Sequence, residues 1–382
     1  MRLVELTLNH ALDGVERSGI RKFTALAAQT PGCCRLTLGE PDLNTAEPVK
    51  AAARLALERN ETHYCENNGT RSVREAVSRF EEARNGLHYS PDEIIMTAGA
   101  TEAIFISLFS ILNPGDEVII PTPAFSLYES IVRLCRGVPV LLSTADDHFQ
   151  LTEQRLRGAI TSRTKALILT SPNNPTGCVY TRETLEGIHR VVRDLPIFIL
   201  CDEVYRQLVY TGDFQSFSSY EDLRDRILVA QSFSKPYAMT GWRAGYLMCD
   251  APLHDRIQVV HQYDVVSIPT FVQPACEEAL RYDNSADVAL FRRRRDYVYA
   301  ALTEMGLAVE KPEGAFYAFA DIRRFGMDSL TFCTRMLKEG LVAAVPGCYF
   351  GGEGFMRISY CYSDEALKEG LDRVARFIHT LE

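Results

Sequence analysis

The chain has 382 residues, more than one hydrophobic core usually serves, so two domains or one large domain with a satellite are expected. Its composition, 46% hydrophobic and 24% charged, is that of a folded globular protein and excludes a disordered one. With 41 Lys and Arg against 50 Asp and Glu, the net charge of -9 argues against nucleic acid or an anionic membrane as partner.

The opening MRLVELTLNH has no signal-peptide pattern, and eleven cysteines are scattered without C-x2-C spacing. The expectation is a reduced, cytoplasmic protein with no metal site, in which most cysteines are small buried hydrophobes. LTLGEPDLNT (36–45) reads as a strand ending in a Gly and Pro turn. Residues 48–60, PVKAAARLALERN, predict a helix with Pro near its start and Asn at its end; 70–84 predict a second helix after Gly69.

From 92 to about 250 apolar runs alternate with helical stretches. EIIMTAG (93–99), DEVIIPTP (116–123), KALILTSP (165–172), PIFILCDE (196–203) and ILVAQSFS (227–234) are the runs. Short apolar strands separated by helices make βαβ units and a mostly parallel sheet covered on both faces. The C-terminal part, with long helical stretches around AFYAFADI (315–322) and FMRISYCY (355–362), reads as a smaller α+β domain. FRRRRD (291–296) reads as a solvated helix face with i,i+4 partners. The expected division is a large domain over 32–275 and a small domain from 1–31 and 276–382.

In open parallel sheets ligands bind beyond the carboxyl ends of the strands, which directs attention to the residues after each run. Gly99, Ala100 and Thr101 end one strand and open a helix; they make either a phosphate site or a plain turn. Asp202 closes another run and needs a cation there, or serves as a helix cap or salt-bridge partner, with Tyr205 one helical turn on. Lys235 stands at a third strand end as a nucleophilic amine or a snorkelling structural lysine. Ser232, Ser234 and Arg243 beside it complete a phosphate clamp. SPNNPTG (171–177) is a tight loop whose asparagines can also donate to a ligand oxygen. One cofactor uses all of these groups, pyridoxal phosphate: an amine for its aldehyde, a carboxylate for its ring nitrogen, donors for its phenolic oxygen and a clamp for its phosphate.

The chain resembles the fold-type I, class I/II family of pyridoxal-phosphate aminotransferases, the aspartate aminotransferase-like group. The resemblance runs nearly the whole length through GEPD (39–42), HYCENNG (63–69), GATEA (99–103), PTPAF (121–125), NNPTG (173–177), CDEVY (201–205), SFSKPYAMTGWRAG (232–245), PEGAFYAF (312–319) and FMRIS (355–359). It implies an α/β fold with a large, mostly parallel sheet flanked by helices plus a smaller α+β domain, and transfer of an amino group from an L-amino acid to a 2-oxo acid. By the resemblance, Lys235 is the Schiff-base lysine and the base that moves the substrate proton, and Asp202 pairs with the pyridine nitrogen. Asn174 and Tyr205 hydrogen-bond the phenolic oxygen, Phe125 stacks on the ring, and Gly99, Ala100, Thr101, Ser232, Ser234 and Arg243 hold the phosphate. Arg357 binds the substrate α-carboxylate, assisted by Asn174 and the backbone at Gly39.

Tyr64 matches a tyrosine that reaches the neighbouring subunit's cofactor phosphate, which implies a homodimer; a core tyrosine is the alternative. The Asn174–Pro175 bond is expected to be cis. Thr101 stands where some aspartate-type relatives carry a lysine, and the aromatic content of AFSLY and HQYDVVSIPTFVQ leans toward an apolar or aromatic amino acid. A carbon–sulfur β-lyase of the same fold is the alternative activity. A regulator that borrows this fold needs an added DNA-binding module, which this chain is not expected to carry, and a catalytically silent scaffold does not fit the complete set of reactive residues.

Overall fold

The apolar runs become strands whose successive residues enter two different cores. A computed structural model of the chain describes residues 7–212 and 214–381. Among these, the strands in chain order are β1 Cys34–Arg35, β2 Ile94–Thr97, β3 Glu117–Thr122, β4 Val138–Ser143, β5 Thr164–Thr170 and β6 Phe198–Asp202. They continue with β7 Ile227–Ser232, β8 Gly245–Cys249, β9 Tyr317–Asp321, β10 Val342–Ala343, β11 Val345–Pro346 and β12 Phe355–Ser359.

Seven strands form one sheet in the order β2-β8-β7-β6-β5-β3-β4, in which only β8 runs against the rest. Side chains alternate across the sheet: Leu167, Leu169, Ile199, Ile227 and Val229 enter one core, and Ala166, Ile168, Leu200, Leu228 and Ala230 the other. Helices Arg71–Asn85, Arg182–Val192 and Gln273–Arg281 cover the first face. Helices Ala100–Ile111 and Leu127–Leu134 cover the second. With both faces covered, the strands have no polar side to show, which is why they read as continuous apolar runs.

The C-terminal part holds the antiparallel sheet β11-β12-β9 and the parallel pair β1-β10. Helices Ser285–Glu304, Ser329–Gly340 and Asp364–His379 pack around them in a third core with Phe23, Phe316, Phe332 and Phe377. The segment expected as a strand over 36–45 forms none: the ladder pairs Cys34–Arg35, just before it, with Val342–Ala343, and beyond Leu36 the chain runs as a loop toward the site.

The basic run divides: Arg292 and Arg293 are exposed, as expected of a solvated face. Arg294 and Arg295 are buried, not solvated. Arg294 grips Asp42 of the GEPD loop with both terminal nitrogens, at 2.7 and 2.9 Å, and donates through Nε to Asp364 at 3.0 Å. Arg295 donates to the Pro312 carbonyl at 2.8 Å. A planar fork satisfied by carboxylates on two elements can be buried where a lysine could not, so Arg294 is internal wiring between the GEPD loop and the C-terminal helices. All eleven cysteines are free, and seven are buried, as small hydrophobes should be. Among the described residues no helix is long and apolar enough to cross a membrane.

Candidate active site

The carboxyl ends of β2, β7, β6 and β5 lie on one edge, with the start of β8 between the first two. Thr97 is in register with Gly245, Gly245 with Ser232, and Asp202 with Thr170. Close approach is built in: a Cβ on Gly245 would lie 2.4 Å from the Gln231 carbonyl and 2.9 Å from the Gly99 backbone. Gly99 turns the chain into the helix Ala100–Ile111 with φ +83°, and a Cβ there would meet Arg243 Nη2 at 2.8 Å. Arg243 has left-handed φ of 52°, a conformation costing a non-glycine residue about 1–2 kcal/mol, and donates to the Ala98 and Thr240 carbonyls, each at 3.0 Å. Ser232 and Ser234 are buried beside it, the Ser234 N–H donating to Ser232 Oγ at 3.1 Å, while Thr101 is exposed on the first helical turn. Unpaired helix N–H groups, two hydroxyls and a guanidinium on one rim make an anion site.

Lys235, three residues past the end of β7, is half-buried and donates through Nζ to the Gly39 carbonyl at 2.7 Å. Burial lowers its pKa; Cys361 and Glu40 oppose this, and Arg357 and Arg243 add to the lowering. The lysine is therefore a primed amine. Asp202 is the last residue of β6, fully in the sheet and capping no helix. Its Oδ2 accepts from the Tyr128 hydroxyl at 2.6 Å and its Oδ1 from the Val204 N–H at 3.3 Å. Burial raises its pKa against those two bonds and the Lys235 charge, which marks a carboxylate still in need of a cation. Tyr205 lies in a run of tight turns, not the helical turn expected from sequence, and its hydroxyl meets that of Tyr317 at 2.8 Å. Burial and that neighbour hold Tyr205 well above the ordinary tyrosine value, so it acts as a neutral hydrogen-bonding group.

Arg357, central in β12, is buried. Its Nη1 donates to Asn174 Oδ1 at 2.8 Å and its Nη2 to the Thr37 carbonyl at 2.5 Å, and the guanidinium lies over the rings of Tyr317 and Phe350, 4.5 and 4.8 Å from their centroids. Its Nε has no acceptor among the described residues. A buried arginine with an unmatched donor is a fixed fork awaiting an oxyanion such as a carboxylate. The two asparagines divide: Asn173 closes its own turn through Thr176, at 3.2 Å to the N–H and 3.0 Å to the hydroxyl, and only Asn174 turns to Arg357. The Asn174–Pro175 bond is trans, contrary to expectation. The cis bonds are Thr122–Pro123 and Ser171–Pro172, so the loop holds its cis proline at its start.

Tyr64 is 88% exposed and cannot be a core tyrosine. Its segment is nonetheless held firmly: the His63 carbonyl accepts from Thr270 Oγ1 at 2.6 Å and the Thr70 N–H donates to Gln273 at 2.7 Å. Phe125 is half-buried and edge-on to Tyr128, with centroids 6.3 Å apart. Sequence reasoning missed Tyr128, Thr170, whose hydroxyl donates to the Tyr128 hydroxyl at 3.1 Å, and Tyr317. Tyr128 was visible only as the residue one helical turn after Phe125, and Tyr317 lies inside PEGAFYAF; neither spacing says that a hydroxyl will reach Asp202 or Tyr205. Tyr317 also explains Gly39, whose Cβ would lie 1.9 Å from the Tyr317 hydroxyl.

The donor set fits pyridoxal phosphate: an anion rim, a primed amine and a buried carboxylate without an ion-pair partner stand along one edge of the large sheet, and the unmatched arginine fork of β12 reaches the loop after β5 through Asn174. The family model "Aminotransferase class I and II" matches residues 31–374. A Bacillus subtilis chain bearing an aminotransferase name is 42% identical over 97% of this chain and 98% of its own. Aromatic-amino-acid aminotransferase 2 of Thermococcus litoralis is 38% identical over 98% of each chain. The solved structure of Thermus thermophilus aspartate aminotransferase with maleate superposes with a TM-score of 0.93 at 36% identity, covering 98% of this chain and 100% of that one.

Proposed function

The chain belongs to the class I and II aminotransferases and is an enzyme that transfers amino groups; from that premise we propose that it does so with pyridoxal phosphate carried on Lys235. The observation that carries this reading is the half-buried Lys235 amine, its pKa lowered by burial, beside an anion rim and a buried carboxylate on the same sheet edge. The bound cofactor would supply an aldehyde and an electron-withdrawing ring. Lys235 would hold it and then move the proton at the substrate α-carbon. Asp202, oriented by Tyr128, would keep the ring nitrogen protonated. Asn174 and Tyr205 would donate to the phenolic oxygen, Phe125 would cover the ring, and Gly99, Ala100, Thr101, Ser232, Ser234 and Arg243 would hold the phosphate. Arg357 would take the substrate carboxylate, with the Gly39 backbone beside it.

Replacing Arg357 by Lys keeps the charge and loses the planar fork. It is expected to raise KM for the amino acid and lower kcat/KM at least thirtyfold, or about 2 kcal/mol, in steady-state assays.

The amino donor we propose is an apolar or aromatic L-amino acid. In support, the Arg357 guanidinium lies against Phe350, which belongs to an aromatic wall with Phe319, Phe355 and Phe149, and Phe125 borders the same cluster. The 38%-identical Thermococcus litoralis relative is named for aromatic amino acids. Adding amino acids singly, without an oxo acid, and following the visible absorbance tests it. Phenylalanine, tyrosine or leucine should discharge the band faster than aspartate; a preference for aspartate would refute the donor class. The Bacillus, Thermococcus and Thermus relatives are aminotransferases by name and lend no support to the lyase alternative. The exposed Tyr64 on its hydrogen-bonded segment, with Tyr263 also 83% exposed, supports a homodimer in which each chain reaches its neighbour's phosphate, and a cytoplasmic location is part of the same proposal. The division into 32–275 and 1–31 with 276–382 is proposed as the unit of closure over the substrate.

A further inference from the structure

Two buried ionisable groups beside the anion rim have no part in the chemistry described so far. Glu102 and His261 have side chains 6% and 0% exposed, and Glu102 Oε1 lies 2.5 Å from His261 Nδ1. His261 Nε2 faces the Asn67 carbonyl at 2.7 Å, and Glu102 Oε2 accepts the Ala98 N–H at 2.5 Å. A carbonyl only accepts, so Nε2 carries a hydrogen. The Nδ1 to Oε1 contact then holds a second proton, and the pair as a whole carries no net charge.

That neutrality matters because Glu102 sits on the first turn of the helix whose N-terminus faces the anion rim. A carboxylate alone there would compete with a phosphate for the positive end of the helix. With the shared proton it instead acts as a fixed acceptor. The Ala98 backbone is thereby held on both sides, its N–H by Glu102 and its carbonyl by Arg243. The other side of the clip is the segment bearing Tyr64, three residues before Asn67. Asn67 Nδ2 is itself tied to the Val266 carbonyl at 2.8 Å and the Asn68 carbonyl accepts the Met96 N–H at 3.0 Å.

We propose that Glu102 and His261 are positioning residues that form a buried proton-sharing clip, fixing the Ala98–Gly99 turn for the cofactor phosphate and tying that turn to the segment that presents Tyr64. This rests on the reading of the rim as the phosphate site. The clip touches neither the ring nor the aldehyde, so its loss weakens whatever is gained from the phosphate and spares the rest.

The test titrates the full-length apoenzyme with pyridoxal phosphate and, separately, with pyridoxal, which lacks the phosphate. Glu102→Ala and His261→Phe are each expected to weaken pyridoxal phosphate about tenfold or more, while pyridoxal changes less than about twofold. The double variant should be little worse than either single one, because both remove the same device. Glu102→Gln should restore affinity, since an amide can accept from Ala98 and donate to a neutral imidazole. Should Glu102→Ala not fold, His261→Phe, which keeps a planar ring in the site, carries the same comparison. Equal weakening of both ligands, or unchanged affinity for pyridoxal phosphate, would overturn the clip. A wild-type apoenzyme that links no pyridoxal phosphate to Lys235 would instead overturn the proposed function.

Discussion

Lys235→Ala should lower the turnover of amino transfer by at least ~10³-fold, since it removes both the covalent anchor and the base that moves the substrate proton. The same change should make the apoprotein more stable at neutral pH. Burial holds the Lys235 pKa below the ordinary lysine value of 10.5, with Arg357 and Arg243 adding to that effect. Between the lowered folded value and 10.5 the unfolded chain binds more protons, so wild-type stability rises with pH through that window. Below the window the cost of the buried ammonium is fully present, and above it the cost is gone. The alanine variant lacks this slope: its advantage in urea unfolding should be largest near pH 7 and should shrink toward pH ~10.5. Full transamination by Lys235→Ala, or an apoprotein less stable than wild type at pH 7, would contradict the assignment of a primed, strained amine.

Arg206→Ala is expected to cost stability about 3–5 kcal/mol, the largest single loss outside the hydrophobic cores. Arg206 is buried between Glu81, on the helix Arg71–Asn85, and Glu203, with side chains 1%, 0% and 3% exposed. It pairs with Glu81 at close contact and with Glu203 at 3.0 Å; Tyr246 donates to Glu81 at 2.5 Å and Ser216 to Glu203 at 2.5 Å. Burial works against the guanidinium's charge, yet Glu81, Tyr246 and Glu203 hold its pKa above the ordinary value. Burial pushes Glu203 up even with Arg206 present. Without Arg206 the buried Glu203 takes up its proton more readily folded than unfolded, so the variant's stability falls as pH rises. The loss should therefore be greater at pH 8 than at pH 5, read as a shift in urea midpoint at unchanged slope. Because Asp202 and Tyr205 flank this anchor in sequence, cofactor affinity should fall with it; a loss under 1 kcal/mol at pH 8 would show that the carboxylates are solvated.

The large sheet was legible because strands buried on both faces have nothing polar to show, and the rule that ligands gather beyond their carboxyl ends then picked out Asp202, Lys235 and the Gly99 turn. What was not legible depended on contacts between distant segments. FRRRRD looked like a solvated face because the partners of Arg294 and Arg295, Asp42 and Pro312, are far away in the chain. Tyr128 and Tyr317 looked like ordinary apolar residues because an aromatic ring in a core and a hydroxyl aimed at Asp202 or Tyr205 have the same sequence pattern. The helical turn expected after Asp202 is a run of tight turns, in which Arg206 reaches back to Glu203 and across to Glu81, distant in the chain. Asn173 and Asn174 stand side by side in NNPTG, and only packing against β12 assigns one to its own turn and the other to Arg357.

The position of the cofactor on the chain is the claim on which the rest stands, and it can be read directly. Protein saturated with pyridoxal phosphate is reduced with borohydride, digested and mapped by mass spectrometry. One stoichiometric phosphopyridoxyl group per chain is expected, on the peptide containing SFSKPYAMTGWR, at Lys235. A label on another lysine, or no reducible label at all, would contradict it.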